Sequence, residues 1–200
     1  MPLLASKANP RFKALLARLR PGGAQRRSTL LLGGKLIEAW AERRKTPAGG
    51  RLRPALWLRL DGAAPHPLAA ELGLETLVLG ESLLRELADA GSPPEHALLA
   101  EVGAEPTGPL PGRVIGAWGI QDPGNLGALL RSAAAFGFQE ALLGPGCADP
   151  FSPKALRGSM GAAFLMPLRR VAIPTTGVES LNAAVAAGIA CFEAARRARG

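Results

Sequence analysis

The sequence predicts an α/β protein built in two parts, and three observations carry that reading. Short apolar runs of strand length alternate with stretches whose apolar residues recur at helical spacing, the pattern of a small sheet with helices packed on it. The stretch from Gly103 to Gly112 holds three prolines and three glycines, which suppress helix and ladder alike and mark a boundary between residues 1–105 and 113–200. Finally, 200 residues that are 48% hydrophobic are enough for one ordinary domain or two small ones with a real core.

Each element has its own local reason. Asn9-Pro10 is a helix start: a side-chain acceptor for orphan N–H groups, then a residue whose fixed φ suits the first turn. Phe12, Leu15, Leu16 and Leu19 follow as one apolar stripe, flanked by Arg11, Lys13, Arg18 and Arg20. Residues 29–32 read as a strand, Gly33-Gly34 breaks it, and residues 35–45 resume helical spacing through Leu36, Ile37 and Trp40. Residues 55–60, 76–79 and 97–102 have strand length and composition, with helices expected near 67–72 and 82–89. Beyond the boundary come a strand over 113–118, a turn over 119–124, a helix over 125–136, a strand over 141–143 and a loop over 144–152. A last helix is expected from the stripe Leu181, Ala184, Val185, Gly188, Ile189 and Phe192, closed by Arg196, Arg197 and Arg199 where they complement the helix dipole.

Composition removes several function classes. No window approaches 18 apolar residues, and the start MPLLASKANPRFK lacks the order of a secretory signal, so a cytoplasmic chain with no membrane span is expected. Cys147 and Cys191 are too few for a disulfide scaffold or a four-ligand zinc site, and His66 and His96 fall in no metal-binding spacing, so no metal is expected. Neither a GxGxxG fingerprint nor a GxxxxGK[ST] loop is present, which disfavours a dinucleotide oxidoreductase. The net charge of +8 points to a polyanion, with a solvated basic face as the plain alternative. Residues 1–59 hold 14 basic side chains against Glu38 and Glu42, giving +12, whereas residues 60–110 set only Arg85 against nine acids, giving −8. The basic charge is concentrated at the N-terminus.

Two segments are too particular for generic connections. In Gln121-Asp-Pro-Gly-Asn-Leu-Gly-Ala-Leu-Leu-Arg131, Asp122-Pro123-Gly124 makes a turn, Asn125 can cap the next helix, and Gly127 allows close backbone approach. Arg131 stands about two turns into that helix; taken alone it reads as a surface charge. In Ile173-Pro-Thr-Thr-Gly-Val-Glu-Ser-Leu-Asn-Ala183, Ser180 or Glu179 is placed to cap the last helix, and Asn182 falls in its first turn, where exposed N–H groups attract anions. An ordinary helix cap and an anion site are equally good readings there.

Together with Phe151-Ser-Pro-Lys154 and Gly158-Ser-Met-Gly161, these segments resemble, in kind and order, the motifs of the SpoU (TrmH-type) RNA methyltransferases of the SPOUT superfamily. More weakly, Lys7-Ala-Asn-Pro-Arg11 and Leu32-Gly-Gly-Lys-Leu-Ile37 resemble that family's substrate-binding domain. The resemblance implies a small ribosomal-protein-like α/β domain that recognises RNA, joined to a SPOUT-type parallel α/β domain that in the family forms a trefoil knot. It implies S-adenosylmethionine as cofactor, a ribose 2′-oxygen of ribosomal RNA before transfer RNA as methyl acceptor, and a homodimer. Carried over by position, Arg131 is the catalytic arginine, Asn125 shapes the active-site turn, and Ser180 and Asn182 belong to the last motif. Ile173, Leu181 and Ala183 fall to the cofactor, and Lys7, Arg11, Arg26 and Arg27 to the RNA.

The chain also departs from the family pattern. Leu168-Arg-Arg-Val171 runs directly into Ala172-Ile-Pro174, where the family has a further strand, helix and strand ending in a Gly-x-Glu-Gly-like turn. That departure supports an alternative, a non-catalytic RNA-binding protein that keeps the grip without the cofactor pocket. It also predicts lowered stability or compensation by dimerisation, because removing strands from a parallel sheet bares apolar faces.

Overall fold

The computed structural model describes residues 3–19, 28–45, 51–88, 92–164 and 166–172. The first half carries β1 (Leu3–Leu4), α1 (Pro10–Leu19), β2 (Ser28–Leu32), α2 (Gly34–Arg43), β3 (Leu52–Leu60), α3 (Pro67–Glu71), β4 (Thr76–Leu79), α4 (Glu81–Ala88) and β5 (His96–Val102). Its five strands form one mixed sheet in the order β1-β4-β3-β5-β2, with β1 and β3 parallel to β4, and β5 antiparallel to both β3 and β2. The second half carries β6 (Val114–Ala117), α5 (Pro123–Ala135), β7 (Glu140–Leu143), α6 (Pro153–Ser159), a 3-10 turn (Ala162–Phe164) and β8 (Leu168–Arg170). Its sheet is wholly parallel, in the order β6-β7-β8.

Four of the helix starts, those of α1, α3, α5 and α6, follow one local device. Asn9 Oδ1 accepts from Arg11 N (2.9 Å), His66 Nδ1 from Leu68 N (3.3 Å), Asp122 Oδ1 from Asn125 N (2.9 Å) and Ser152 Oγ from Ala155 N (3.3 Å). A proline follows each of the four, supplying the helical φ where a missing N–H costs nothing. The sequence expectation that Asn125 caps α5 is therefore corrected. Asp122 is the cap, Pro123 the first helical residue, and Asn125 sits in the first turn with its backbone N–H bound by that cap. The short α6 was not foreseen, because seven residues present too little periodicity to separate them from the preceding loop. The last predicted helix lies outside the described residues.

The two sheets do not stand apart. One cluster of buried residues runs from Leu36, Trp40 and Trp57 in the first half to Leu126, Phe151 and Phe164 in the second. Polar contacts reinforce it: the Thr29 hydroxyl donates to the Phe151 carbonyl, and Arg51 donates to Leu168 O (2.6 Å) and Gly103 O (3.1 Å) while its guanidinium lies 4.7 Å from the Phe151 ring centre. A second cluster, with Phe12, Leu30, Leu79, Leu83 and Leu99, fills the other face of the first sheet. Among the described residues β6 pairs only with β7, and the large apolar side chains left exposed are Leu3, Phe136 and Met160, none of them on β6. No described helix is long and apolar enough to cross a membrane, and no described group of three or more His, Cys, Asp or Glu side chains could hold a metal ion.

Buried His96 is expected to make the first half acid-sensitive. Buried His96 accepts a hydrogen bond at Nδ1 from Trp57 Nε1 (3.2 Å), and its ring meets that of His66 edge-on at 5.1 Å. Burial, then the neighbouring His66, holds the His96 pKa below the ordinary histidine value. A pKa lowered on folding contributes stability that is complete above about pH 6.5 and is lost as pH falls through the lowered value. The melting temperature of the chain is expected to fall between pH 7 and pH 5. His96→Asn, which keeps an acceptor for Trp57 but cannot take up the proton, should flatten that fall when melting is followed across the same pH series.

Candidate active site

The second half presents its site at the carboxyl ends of the parallel strands, where ligands bind in open α/β sheets. There β6 runs through Trp118-Gly119 towards α5, and β7 runs into the glycine- and proline-rich residues 144–152. The Trp118 indole lies against Gly144, where a Cβ would collide with the ring. Its Nε1 is buried and has no hydrogen-bond partner among the described residues, so a donor without a described partner stands at this end of the sheet. Cys147 Sγ donates to Ala117 O (3.2 Å) and ties the following loop to the end of β6.

Helix α5 rests on α6 through glycines. A Cβ on Gly127 would stand 2.8 Å from Ser159 N and 2.9 Å from Gly158 C, closer still to Ala155 O, while a Cβ on Gly158 would stand 3.0 Å from Gly124 O. The expected close approach at Gly127 is thus present, and its partner is the backbone of α6. Three motifs that lie apart in sequence, the first around Asn125, Phe151-Ser-Pro-Lys154 and Gly158-Ser-Met-Gly161, pack as one unit. Lys154 Nζ reaches back to the α5 cap, 2.5 Å from Asp122 Oδ2.

That contact, followed by the N–H of Asn125, holds the Asp122 carboxyl below its ordinary pKa. The lowered value means a contribution present above the usual carboxylate range and lost as pH falls below about 4. Asp122→Ala is expected to lower the melting temperature at neutral pH. Asp122→Asn, which keeps the cap and loses the charge, should lower it less. Equal melting of all three at pH 7 would exclude the cap from holding α5.

Leu126, Gly127, Leu130 and Ala133 face inward, leaving Asn125, Ala128, Arg131, Ser132 and Ala135 on one exposed arc. Six residues along an α-helix correspond to about 9 Å of rise and about 120° of rotation, so Asn125 and Arg131 are displaced both along and around that arc. Arg131 makes no ion pair or hydrogen bond with a described residue. Lys7 and Arg11 are exposed at the start of α1, Lys7 paired with Glu86 (2.6 Å) and Arg11 with Glu75. Such surface pairs are weak and exchangeable. Ile173, Ser180, Leu181, Asn182, Ala183, Arg26 and Arg27 lie outside the described residues. The sequence reading missed Asp122 as the cap and its link to Lys154; the Asp-Pro and Ser-Pro pairs at two helix starts were the available signal.

The described residues of the second half thus form a parallel α/β unit whose first strand leads into a glycine-packed helix, itself locked on a second helix. Residues 112–172 match the model of the SpoU rRNA Methylase family. The chain is 32% identical over 184 residues to the uncharacterized tRNA/rRNA methyltransferase slr1673 of Synechocystis, a match covering 84% of this chain and 62% of that protein. It is 31% identical over 109 residues to the 23S rRNA (guanosine(2553)-2'-O)-methyltransferase RlmP of Bacillus subtilis, covering 54% of this chain and 44% of RlmP. The chain thus spans less than two thirds of the length of either relative. Among solved structures, the SpoU methyltransferase AviRb of Streptomyces viridochromogenes in complex with AdoMet superposes with a TM-score of 0.68 at 24% identity, over 96% of this chain and 69% of that one. At that identity the likeness speaks for the fold.

Proposed function

We propose that the chain transfers a methyl group from S-adenosylmethionine to a ribose 2′-oxygen of RNA, with ribosomal RNA before transfer RNA, in the cytoplasm and as a homodimer. The observation that carries the reading is the α5 arc: an arginine that pairs with no described residue and an asparagine, on a helix whose start is locked by Asp122 and Lys154 at the carboxyl end of a parallel sheet. Trp118 offers a buried donor with no hydrogen-bond partner among the described residues, and on the family resemblance Ile173, Leu181 and Ala183 would hold the cofactor. When bound, the sulfonium supplies the electrophilic methyl, so no metal is needed.

The chain's own residues then have two tasks. A ribose hydroxyl is a poor nucleophile at neutral pH, so the site must align it and stabilise the charge that develops as its proton leaves. The Arg131 guanidinium, a fixed fork of donors, suits a neighbouring phosphate and the developing alkoxide better than the role of literal base. Asn125, Ser180 and Asn182 would orient the sugar, and Lys7, Arg11, Arg26 and Arg27 would hold RNA further off. The names of slr1673 and RlmP, both methyltransferases of RNA, support this reading.

A non-catalytic RNA-binding protein is the second reading, favoured by the direct run from Val171 into Ala172-Ile-Pro174. Calorimetric titration of S-adenosylmethionine, with RNA binding measured at two salt concentrations, separates the two. Cofactor heat together with salt-sensitive RNA affinity is the expected result for the enzyme; RNA affinity without cofactor heat would leave only the binding protein.

A further inference from the structure

A cavity of about 330 Å³ lies between the two halves, away from the α5 arc, with Gly33, Gly34, Lys35 and Ala39 on one side and Arg157 and Met160 on the other. We propose that it seats a phosphodiester of the RNA, held by Lys35 from the first half and Arg157 from the second. The inference rests on the RNA reading above and assigns a grip to two residues that reading does not use.

Charge is the first argument. The cavity lining holds two cations and no acid. Neither Lys35 nor Arg157 pairs with a described residue, whereas Lys7, Arg11, Arg18, Arg44, Arg85 and Lys154 each meet a carboxylate. Two like charges facing one cavity repel each other, and an anion placed between them converts that repulsion into attraction from both sides. Arginine and lysine are the side chains that hold phosphate, the first as a fork and the second as a point charge.

Rigidity is the second. The turn at the end of α6 sits directly on α2: a Cβ on Gly161, which has φ +84°, would lie 3.3 Å from the Ala39 Cβ. The backbone that carries the two cations is therefore fixed on either side of the gap. Met160, at φ +49° in the left-handed region and 65% exposed, places its thioether at the rim, where it offers apolar contact to a sugar or base beside the phosphate. This turn is the Gly158-Ser-Met-Gly161 motif and the opposite wall is the Gly33-Gly34-Lys35 segment, so two segments far apart in sequence meet around one space. An extended polyanion is favoured over a small anion because one wall of the cavity belongs to the first 59 residues, which carry +12 in sequence.

The test uses the full chain and a fluorescein-labelled RNA hairpin, with anisotropy followed across a KCl series. Lys35→Ala and Arg157→Ala should each weaken binding and lower the slope of log affinity against log salt by about 1, and the double variant by about 2. Arg157→Lys should restore most of the slope, and unchanged melting temperatures exclude misfolding. Slopes equal to the parent's in all variants would overturn the proposal, as would displacement of the hairpin by millimolar inorganic phosphate at constant ionic strength, which marks a small-anion site. Absence of RNA binding by the parent overturns this inference and the RNA reading together. Loss of slope in the variants, with no cofactor heat in the parent, supports the grip and counts against methyl transfer alone.

Discussion

Gly127→Ala is expected to destabilise the second half by about 3 kcal/mol, the upper end for overpacking, and to lower the melting temperature by about 10 °C. The added methyl would meet Ala155 O, Ser159 N and Gly158 C, all backbone atoms of α6. A flexible side chain could turn aside, but helix backbone moves only if the crossing opens. Opening it would also separate Leu126 and Leu130 from Leu156, which share the buried cluster. Thermal unfolding followed by circular dichroism checks the magnitude. Ala128→Gly, on the exposed arc of the same helix, serves as a control and should cost about 1 kcal/mol through propensity alone. If Gly127→Ala melts within a degree of the parent, the α5–α6 contact is not as close as described.

Arg131→Ala is expected to do the opposite: leave stability within about 0.5 kcal/mol and reduce methyl transfer by about 10² to 10³. The side chain is exposed and engages no described residue, so no described contact of the fold depends on it. Its charge is available for a phosphate or a developing alkoxide. Arg131→Lys should recover only part of the loss, since an ammonium lacks the two-pronged geometry. Transfer of a tritiated methyl to RNA, measured beside melting temperature and cofactor calorimetry, reads all three quantities. A loss in kcat with an unchanged cofactor affinity is the expected signature; full activity in Arg131→Ala would remove the arginine from the reaction. Asn125→Ala should spare stability as well, because the cap belongs to Asp122 and only the backbone of Asn125 is engaged.

Much of the fold was legible because the information was local. The alternation of strand-length runs with stripes such as Phe12, Leu15 and Leu19 follows from periodicity, and the helix start at Asn9-Pro10 from the geometry of two adjacent residues. The same reasoning erred at Asn125, where two plausible caps stood three residues apart. Choosing between them required knowing that Pro123 would be the first helical residue and that Lys154 would pair with Asp122. Residues 153–159 carry no legible element in the sequence, because a short helix makes little periodicity; its capping Ser152 and buried Leu156 appear only once α5 lies across it.

The sequence by itself determined the α/β class, the charge asymmetry, the glycine that permits a close crossing, and the motifs around Arg131. Each depends on residues within a few turns of one another, where sterics and hydrogen bonding act without help from distant chain. Tertiary structure alone decided that both sheets share a buried cluster, that Lys154 locks the α5 cap, and that Lys35 and Arg157 face one cavity across 122 positions of sequence. Such pairings depend on how two sheets pack, and packing is set by the shape of whole surfaces, which no local pattern encodes.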